Sequence, residues 1–286
     1  MRFLFVGNRR FVLEEIRNRS LPLASTLVIK NSHLEKDLKN QSVPHDTISG
    51  KKELLCKIEE TEFDVLVSNG CPYILPICKM KPKLYVNIHP SCLPDLKGVD
   101  PVIGSILYKR DSGATCHLMD DTIDGGPIIS QVRIPYTKEL DVSLLYQLSF
   151  MAEKQVFVEA LERGFIASRR QEDSADAIYY TRQARDQQIL FSEPVDLVLQ
   201  KIRAFNNRSQ GCVFFHAGTS FRVYDGDVLT NPYLLQMSHG FADLQIMLRY
   251  EESIVFKKDN HVVRFGPIAG DRSLLSVGAF LEKTQA

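Results

Sequence analysis

The 286-residue chain lacks an excess of either charge, since 35 Lys and Arg offset 35 Asp and Glu. A protein that grips nucleic acid through its phosphates carries a basic excess, so nucleic acid is not the default partner. Metal-type cysteine spacing is missing as well. The six cysteines, at 56, 71, 78, 92, 116 and 212, form no Cys-x-x-Cys, and no His pair completes a zinc-like pattern. They read as reduced, structural thiols, and no metal is expected. Long hydrophobic runs are absent. "MRFLFVG" is too short for a signal-peptide core or a membrane span, and Gly7 interrupts it. The expectation is a cytoplasmic protein with no membrane contact. "FVGNRR", residues 5–10, has one Gly where a dinucleotide fingerprint has three, which argues against NAD. There is no internal repeat and no low-complexity tract.

What is present suits a globular chain of one moderate domain plus a smaller one. The apolar runs "RFLFVG", "STLVIK", "FDVLVSNG" and "KLYVNIH" read as buried parallel strands. "FVLEEIRNR" and "KKELLCKIEE" read as amphipathic helices between them. This alternation predicts an α/β domain with helices on both faces of a parallel sheet. Ligands of such sheets sit beyond the carboxyl ends of the strands, where Asn69-Gly70 and "NIHP" fall. Two extended runs, 114–119 and 128–134, flank an acidic turn with Gly125, Gly126 and Pro127, predicting a hairpin. A long helix follows and stops at Gly164. Residues 167–177 are polar and read as a linker. Beyond them lie one helix, "PVDLVLQKIRAF", and short alternating runs such as "GCVFFHA", "SFRVYDGDVL", "ADLQIMLRY", "SIVFKKD" and "HVVRFG". These predict a small β-barrel domain.

Asn87 and His89 are two residues apart at the end of a strand, so their side chains share a face. Asp124 lies in the Gly-flanked turn of the next segment. An amide that donates to an oxyanion, an imidazole that takes a proton near neutral pH, and a carboxylate that orients the imidazole together suit acyl transfer to an amine. The spacing alone leaves a plainer reading open: His89 before Pro90 can cap a strand, and Asp is a common turn residue. Cys71, Cys92 and Cys116 read as packing residues and His117 as structural. Tyr73 either stacks on a ligand or packs. Lys97 and Arg110 either meet a substrate phosphate or are solvated.

"YVNIHPSCLPDLKG" followed by "GATCHLMDDTIDGGPII" resembles the folate-dependent formyltransferase family, which includes the glycinamide ribonucleotide, methionyl-tRNA and sugar N-formyltransferases. "YYTRQARDQQILFSEPVDLVLQKIRAFN" and "LLSVGAFLEKTQA" resemble the opening and tail of the second domain of the methionyl-tRNA and sugar enzymes. The resemblance implies a Rossmann-like, folate-binding catalytic domain over residues 1–170 and a β-rich, OB-like barrel over 178–286. It implies 10-formyltetrahydrofolate as formyl donor and Asn87, His89 and Asp124 as the catalytic trio. It implies a pterin pocket formed by segment 68–76, with Asn69, Cys71, Tyr73 and Leu75, and loop 120–124, with Asp120, Asp121, Thr122 and Ile123. The acceptor is expected against Ser91, Lys97, Gly98 and Asp100. The presence of a second domain and the lack of basic excess favour the amine of a nucleotide-linked amino sugar, such as a dTDP-amino-dideoxyhexose of O-antigen biosynthesis. A homodimer is compatible with this reading. The alternatives are a methionyl-tRNA formyltransferase, a formyltransferase for a small amine such as N5-hydroxyornithine, and an inactive binding module on the same fold.

Overall fold

The computed structural model describes residues 1–172 and 174–283. Asp173, within the expected linker, and residues 284–286, at the end of the expected second domain, lie outside the described residues. Contacts divide the chain into two compact units. The first comprises Met1–Val102, Asp111–Pro135 and Tyr146–Thr181, and the second Ile103–Arg110, Tyr136–Leu145 and Arg182 onward. No helix among the described residues is long and apolar enough to cross a membrane.

The first unit is built on seven strands: β1 (Phe3–Gly7), β2 (Leu23–Ile29), β3 (Asp46–Ile48), β4 (Val65–Asn69), β5 (Leu84–His89), β6 (Ser112–Leu118) and β7 (Ile128–Ile134). Their order is β3-β2-β1-β4-β5-β6-β7. Pairing is parallel from β3 to β5 and antiparallel for β5–β6 and β6–β7. The expected hairpin is therefore the β6–β7 pair, and the sheet is mixed. β1 and β4 are buried throughout because both sheet faces are covered. Phe3 and Phe5 pack with α1 (Arg10–Asn18), α2 (His33–Asn40) and the distal part of a long helix that ends at Glu162. Leu4 and Val6, pointing the other way, pack with α3 (Lys51–Glu60).

Strand order reverses between β1 and β4, so the crevice beyond Gly7 and Asn69 is the place where this topology receives ligands. The two strand ends lie so close that a Cβ on Gly7 would stand 1.9 Å from the Asn69 carbonyl oxygen. Two helices complete the run: α4 (Pro101–Tyr108) and α5 (Val142–Glu162). Pro101 opens α4, as proline suits a first helical turn. The expected linker is tied down in part. Arg169 N and Ile128 O, and Ile128 N and Arg169 O, form backbone contacts, and Gln171 Nε2 donates to the carbonyls of Asp124 and Gly126, both at 2.8 Å.

The second unit holds α6 (Val195–Ala204), β8 (Cys212–His216), β9 (Thr219–Val223), β10 (Gly226–Leu229), α7 (Pro232–Ser238), β11 (Ile246–Tyr250), β12 (Ser253–Lys258), β13 (His261–Phe265) and β14 (Ile268–Ala269). It is β-rich, as expected. Its strands fall into two separate antiparallel sheets, β10-β13-β12-β11 and β14-β9-β8, which do not confirm the expected OB-like barrel. The chain passes from one to the other at Gly266-Pro267, where the missing proline N–H interrupts a continuous ladder. Five phenylalanines, Phe191, Phe214, Phe221, Phe256 and Phe265, fill the core, with ring centroids 4.8 Å apart for Phe256 and Phe265.

Candidate active site

β5 ends in Asn87-Ile88-His89, and the two-residue period sends the side chains of Asn87 and His89 to one carboxylate. Asn87 Nδ2 donates to Asp124 Oδ1 at 3.3 Å, and His89 Nδ1 lies 3.5 Å from the same oxygen. The other carboxylate oxygen, Oδ2, accepts from Gly98 N at 3.2 Å. The structure thus brings together the three residues singled out in the sequence, together with Gly98. Asp124 has φ 51°, a left-handed conformation that Asp tolerates better than most residues. Gln171, bonded to the Asp124 and Gly126 carbonyls, holds this turn from behind.

A fourth side chain was missed. His117 on β6 stands opposite Asn87 in the antiparallel register. Its Nε2 lies 3.2 Å from Asn87 Nδ2 and 3.8 Å from Asp124 Oδ1. In the sequence His117 reads as structural, and its place depends on a cross-strand partner thirty residues away. The only local sign is polarity inside an otherwise small and apolar strand.

The protons of both rings follow from their partners. A carbonyl oxygen only accepts, so His89 Nε2–H donates to Leu96 O at 3.0 Å, and His117 Nδ1–H donates to Leu118 O at 2.8 Å. The neutral rings therefore direct their unprotonated nitrogens, His89 Nδ1 and His117 Nε2, toward Asp124 Oδ1. His117 Nε2 accepts from Asn87, whereas His89 Nδ1 faces an oxygen with no proton between them. The cluster has room for one more proton, and His89 Nδ1 is where it fits. Burial pushes His89 below its ordinary value, with Asp124 pulling in the opposite direction. Burial also pushes His117 down, to about 4. Both rings are neutral near pH 7, as a base must be. Leu96 holds φ 55°, unusual for a bulky residue, and this aims its carbonyl at His89.

The two segments expected around a pterin meet. Cys78 N donates to Asp121 Oδ1 at 3.2 Å, and Met119 packs in one cluster with Cys71, Tyr73, Leu75 and Ile77. Asp120, Thr122 and Ile123 are exposed, with Thr122 N and Oγ1 donating to Asp120 Oδ1. Asn69 differs from its neighbours: it is wholly buried, its carbonyl accepts from Asn8 N, and Oδ1 has no protein partner. On the acceptor side Lys97 and Asp100 are half-buried, and 97–100 runs beside 178–180 through Lys97 N to Ile178 O (3.0 Å) and Tyr180 N to Lys97 O (2.8 Å). Ser91 is buried and donates to Asp95 O at 2.8 Å, so its hydroxyl is engaged inside the loop. Burial pushes the thiols of Cys71, Cys92 and Cys116 up, which keeps them out of nucleophilic chemistry. Among the described residues no group of three His, Cys, Asp or Glu side chains could hold a metal ion.

Residues 24–161 match the family model described as Formyl transferase. The methionyl-tRNA formyltransferase of Roseiflexus sp. (strain RS-1) is 34% identical over 135 residues, 46% of this chain and 41% of that protein. The chain spans about half the length of the curated relatives it matches. The solved structure of WlaRD, a sugar 3N-formyl transferase in the presence of dTDP and 5-N-formyl-THF, shares the fold at TM-score 0.69 and 18% identity, covering 93% of this chain and 97% of that one. An N-formyltransferase from Helicobacter canadensis, in complex with folinic acid and dTDP-3-aminofucose, gives 0.68 and 18%, covering 92% and 97%. The Asn87–His89–Asp124 cluster at the end of β5 thus lies within the segment, just under half of the chain, that is similar to the Formyl transferase family.

Proposed function

We propose that this protein is an N-formyltransferase that moves the formyl group of 10-formyltetrahydrofolate to the amine of a nucleotide-linked amino sugar. One observation carries the reading: a single carboxylate oxygen, Asp124 Oδ1, gathers Asn87, His89 and His117, with an unprotonated His89 nitrogen 3.5 Å away.

The donor folate supplies an electrophilic formyl carbon when bound between 68–76 and 120–124. The residues there fit such a ligand, because Tyr73 and Met119 give partly buried apolar surface while loop 120–124 exposes backbone groups for a pterin edge. His89 Nδ1 takes the proton that an attacking amine must lose as its bond to the formyl carbon forms, and would return that proton to the folate nitrogen that leaves as the donor's C–N bond breaks. Asp124 stabilises the resulting imidazolium, and Leu96 O keeps the ring oriented throughout. Asn87 Nδ2 has two N–H groups, aimed at Asp124 and His117. When His89 gains its proton, Asp124 Oδ1 is shared, and the Asn87 amide can turn one N–H toward a developing oxyanion. His117 accepts from the other and sets the amide plane.

The sugar acceptor is supported by two features. WlaRD and the H. canadensis enzyme, which share the fold over nearly the whole chain, are described with dTDP or a dTDP-amino sugar. The chain also has no net charge, unlike a typical tRNA binder. The names of the curated relatives favour a second reading, methionyl-tRNA as acceptor. The test is a panel of nucleotide-linked amino sugars and charged initiator tRNA incubated with 10-formyltetrahydrofolate and read by mass. A formyl gain on a sugar supports the proposal, and a gain on methionyl-tRNA alone replaces it with the second reading.

A further inference from the structure

At the opposite end of the first unit's sheet from Asn87 and His89 lies a cavity of about 300 Å³, between the second half of α3, the turn into β4 and residues 76–83. We propose that this cavity is a second binding site, for a small aromatic monocarboxylate. The site is separate from the reacting groups and does not depend on which donor or acceptor the protein uses. Tyr85, the second residue of β5, lines it, and His89 is the last residue of the same strand, about 13 Å further on at the rise of an extended chain.

The shape points to a flat, apolar body. Ile58, Phe63 and Tyr85 are buried and form the floor, and Leu55, Pro76 and Met80 are half-buried and form the walls. The Phe63 and Tyr85 rings meet at 77° with centroids 6.1 Å apart. A flat ring that stacks on one of them meets the other edge-on, and both arrangements are ones that aromatic pairs favour. The Met80 thioether is a soft, adaptable partner for the same ring. The Tyr85 hydroxyl donates to Lys81 O at 2.9 Å, and burial pushes its ionisation up, so the floor stays uncharged. A volume near 300 Å³ is at the small end of ligand sites and has room for one or two fused rings.

The charge points to a single anionic head. All of it sits at the rim, where Lys79, Lys81, Lys83, Glu59 and Glu62 are exposed. Three cations face two carboxylates, so one positive charge is left over. Glu62 pairs with Lys83 at 3.7 Å, and Lys83 Nζ stands 5.9 Å from the Phe63 ring centroid, over the floor. Lys81 Nζ donates to Glu59 O at 3.1 Å and so offsets the negative end of α3. Lys79 makes no hydrogen bond or ion pair among the described residues, and its charge also acts on Asp121. With an aromatic monocarboxylate the ring goes down into the floor, the carboxylate stays at the rim with Lys79, and the rim becomes neutral. An uncharged ring would leave Lys79 without a partner, and a second negative charge would meet Glu59 and Glu62.

The test is fluorescence titration of 2-naphthoate, and of 2-naphthalenemethanol as its uncharged counterpart, into the full-length protein and into Lys79→Gln, beside NMR of protein labelled at the methionine methyls. The proposal expects one naphthoate per chain, the alcohol bound at least tenfold more weakly, and about a fivefold loss in Lys79→Gln, one exposed ion pair's worth. The Met80 methyl resonance, assigned with Met80→Leu, shifts on binding, while those of Met237 and Met247 in the second unit stay in place. Saturating tetrahydrofolate leaves the naphthoate bound. Lys79 is exposed, so its substitution preserves the fold. The assignment is overturned by no naphthoate binding at millimolar concentration, by an alcohol as tight as the acid, by equal affinity in Lys79→Gln, or by a Met80 methyl that does not move while the acid binds. Displacement of naphthoate by tetrahydrofolate overturns it as well, because the cavity would then belong to the donor's site.

Discussion

Asp124→Asn is the substitution that most directly perturbs the proton chemistry. The side chain keeps its size, and an amide Oδ1 can still accept from Gly98 N. What disappears is a negative charge 3.5 Å from His89 Nδ1. At an effective dielectric of about 20, two unit charges at that separation attract by about 5 kcal/mol. The amide dipole and water recover part of this, leaving about 3–4 kcal/mol missing from the step in which His89 is cationic, or a fall in kcat of roughly 10²–10³-fold. The pH profile gives the sign independently. Burial lowers His89 and Asp124 partly offsets that. Without the carboxylate the folded-state value drops further, so the acidic limb of kcat/KM moves to lower pH while the plateau falls. The assay is formyl transfer to the acceptor found in the mass panel, followed across pH 5–9 beside the melting temperature. A loss below tenfold, or an acidic limb that moves upward, would refute the argument.

Gly98→Ala should lower the melting temperature by roughly 5–10 °C and weaken activity, because φ is +108° and the new Cβ would lie 2.6 Å from Tyr180 O; a calorimetric scan checks this. The unfolded chain protonates His117 near 6.5 while the folded chain does so only near 4, so stability is full above 6.5 and falls by about 3 kcal/mol as pH drops to 4. Urea midpoints at pH 7 and 4.5 measure that loss, and His117→Leu should reduce it. Gln171→Ala removes two hydrogen bonds to the turn bearing Asp124, and kcat should fall about three- to tenfold with little change in melting temperature; unchanged kinetics would show that the turn holds itself.

The long, doubly buried strands were legible because burial on both faces leaves uninterrupted apolar runs, as in "FLFVG" and "VLVSN". β3 was not, since three residues, two of them half-exposed, carry no pattern. Nor was α2, whose sequence "HLEKDLKN" buries only Leu34, Glu35 and Leu38, with Ser32 capping it through Glu35 N. "SFRVYDGDVL" looked like one strand but is two, β9 and β10, split at Tyr224-Asp225 and assigned to different sheets. Nothing local announces that change of sheet. In the site, Asn87 and His89 were legible because i and i+2 share a face within one strand. His117 was not, because its membership is set by register against β5 rather than by its neighbours in the chain.

The most direct measurement is single-turnover transfer from 10-formyltetrahydrofolate, labelled in the formyl carbon, to the amino-sugar panel by the parent protein and by His89→Asn in parallel. The account predicts label on the sugar amine with the parent and a rate lower by at least 10²-fold in the variant, with tetrahydrofolate affinity unchanged in both. Label transferred equally well by His89→Asn, or no label on any amine while the folate is bound, would contradict it.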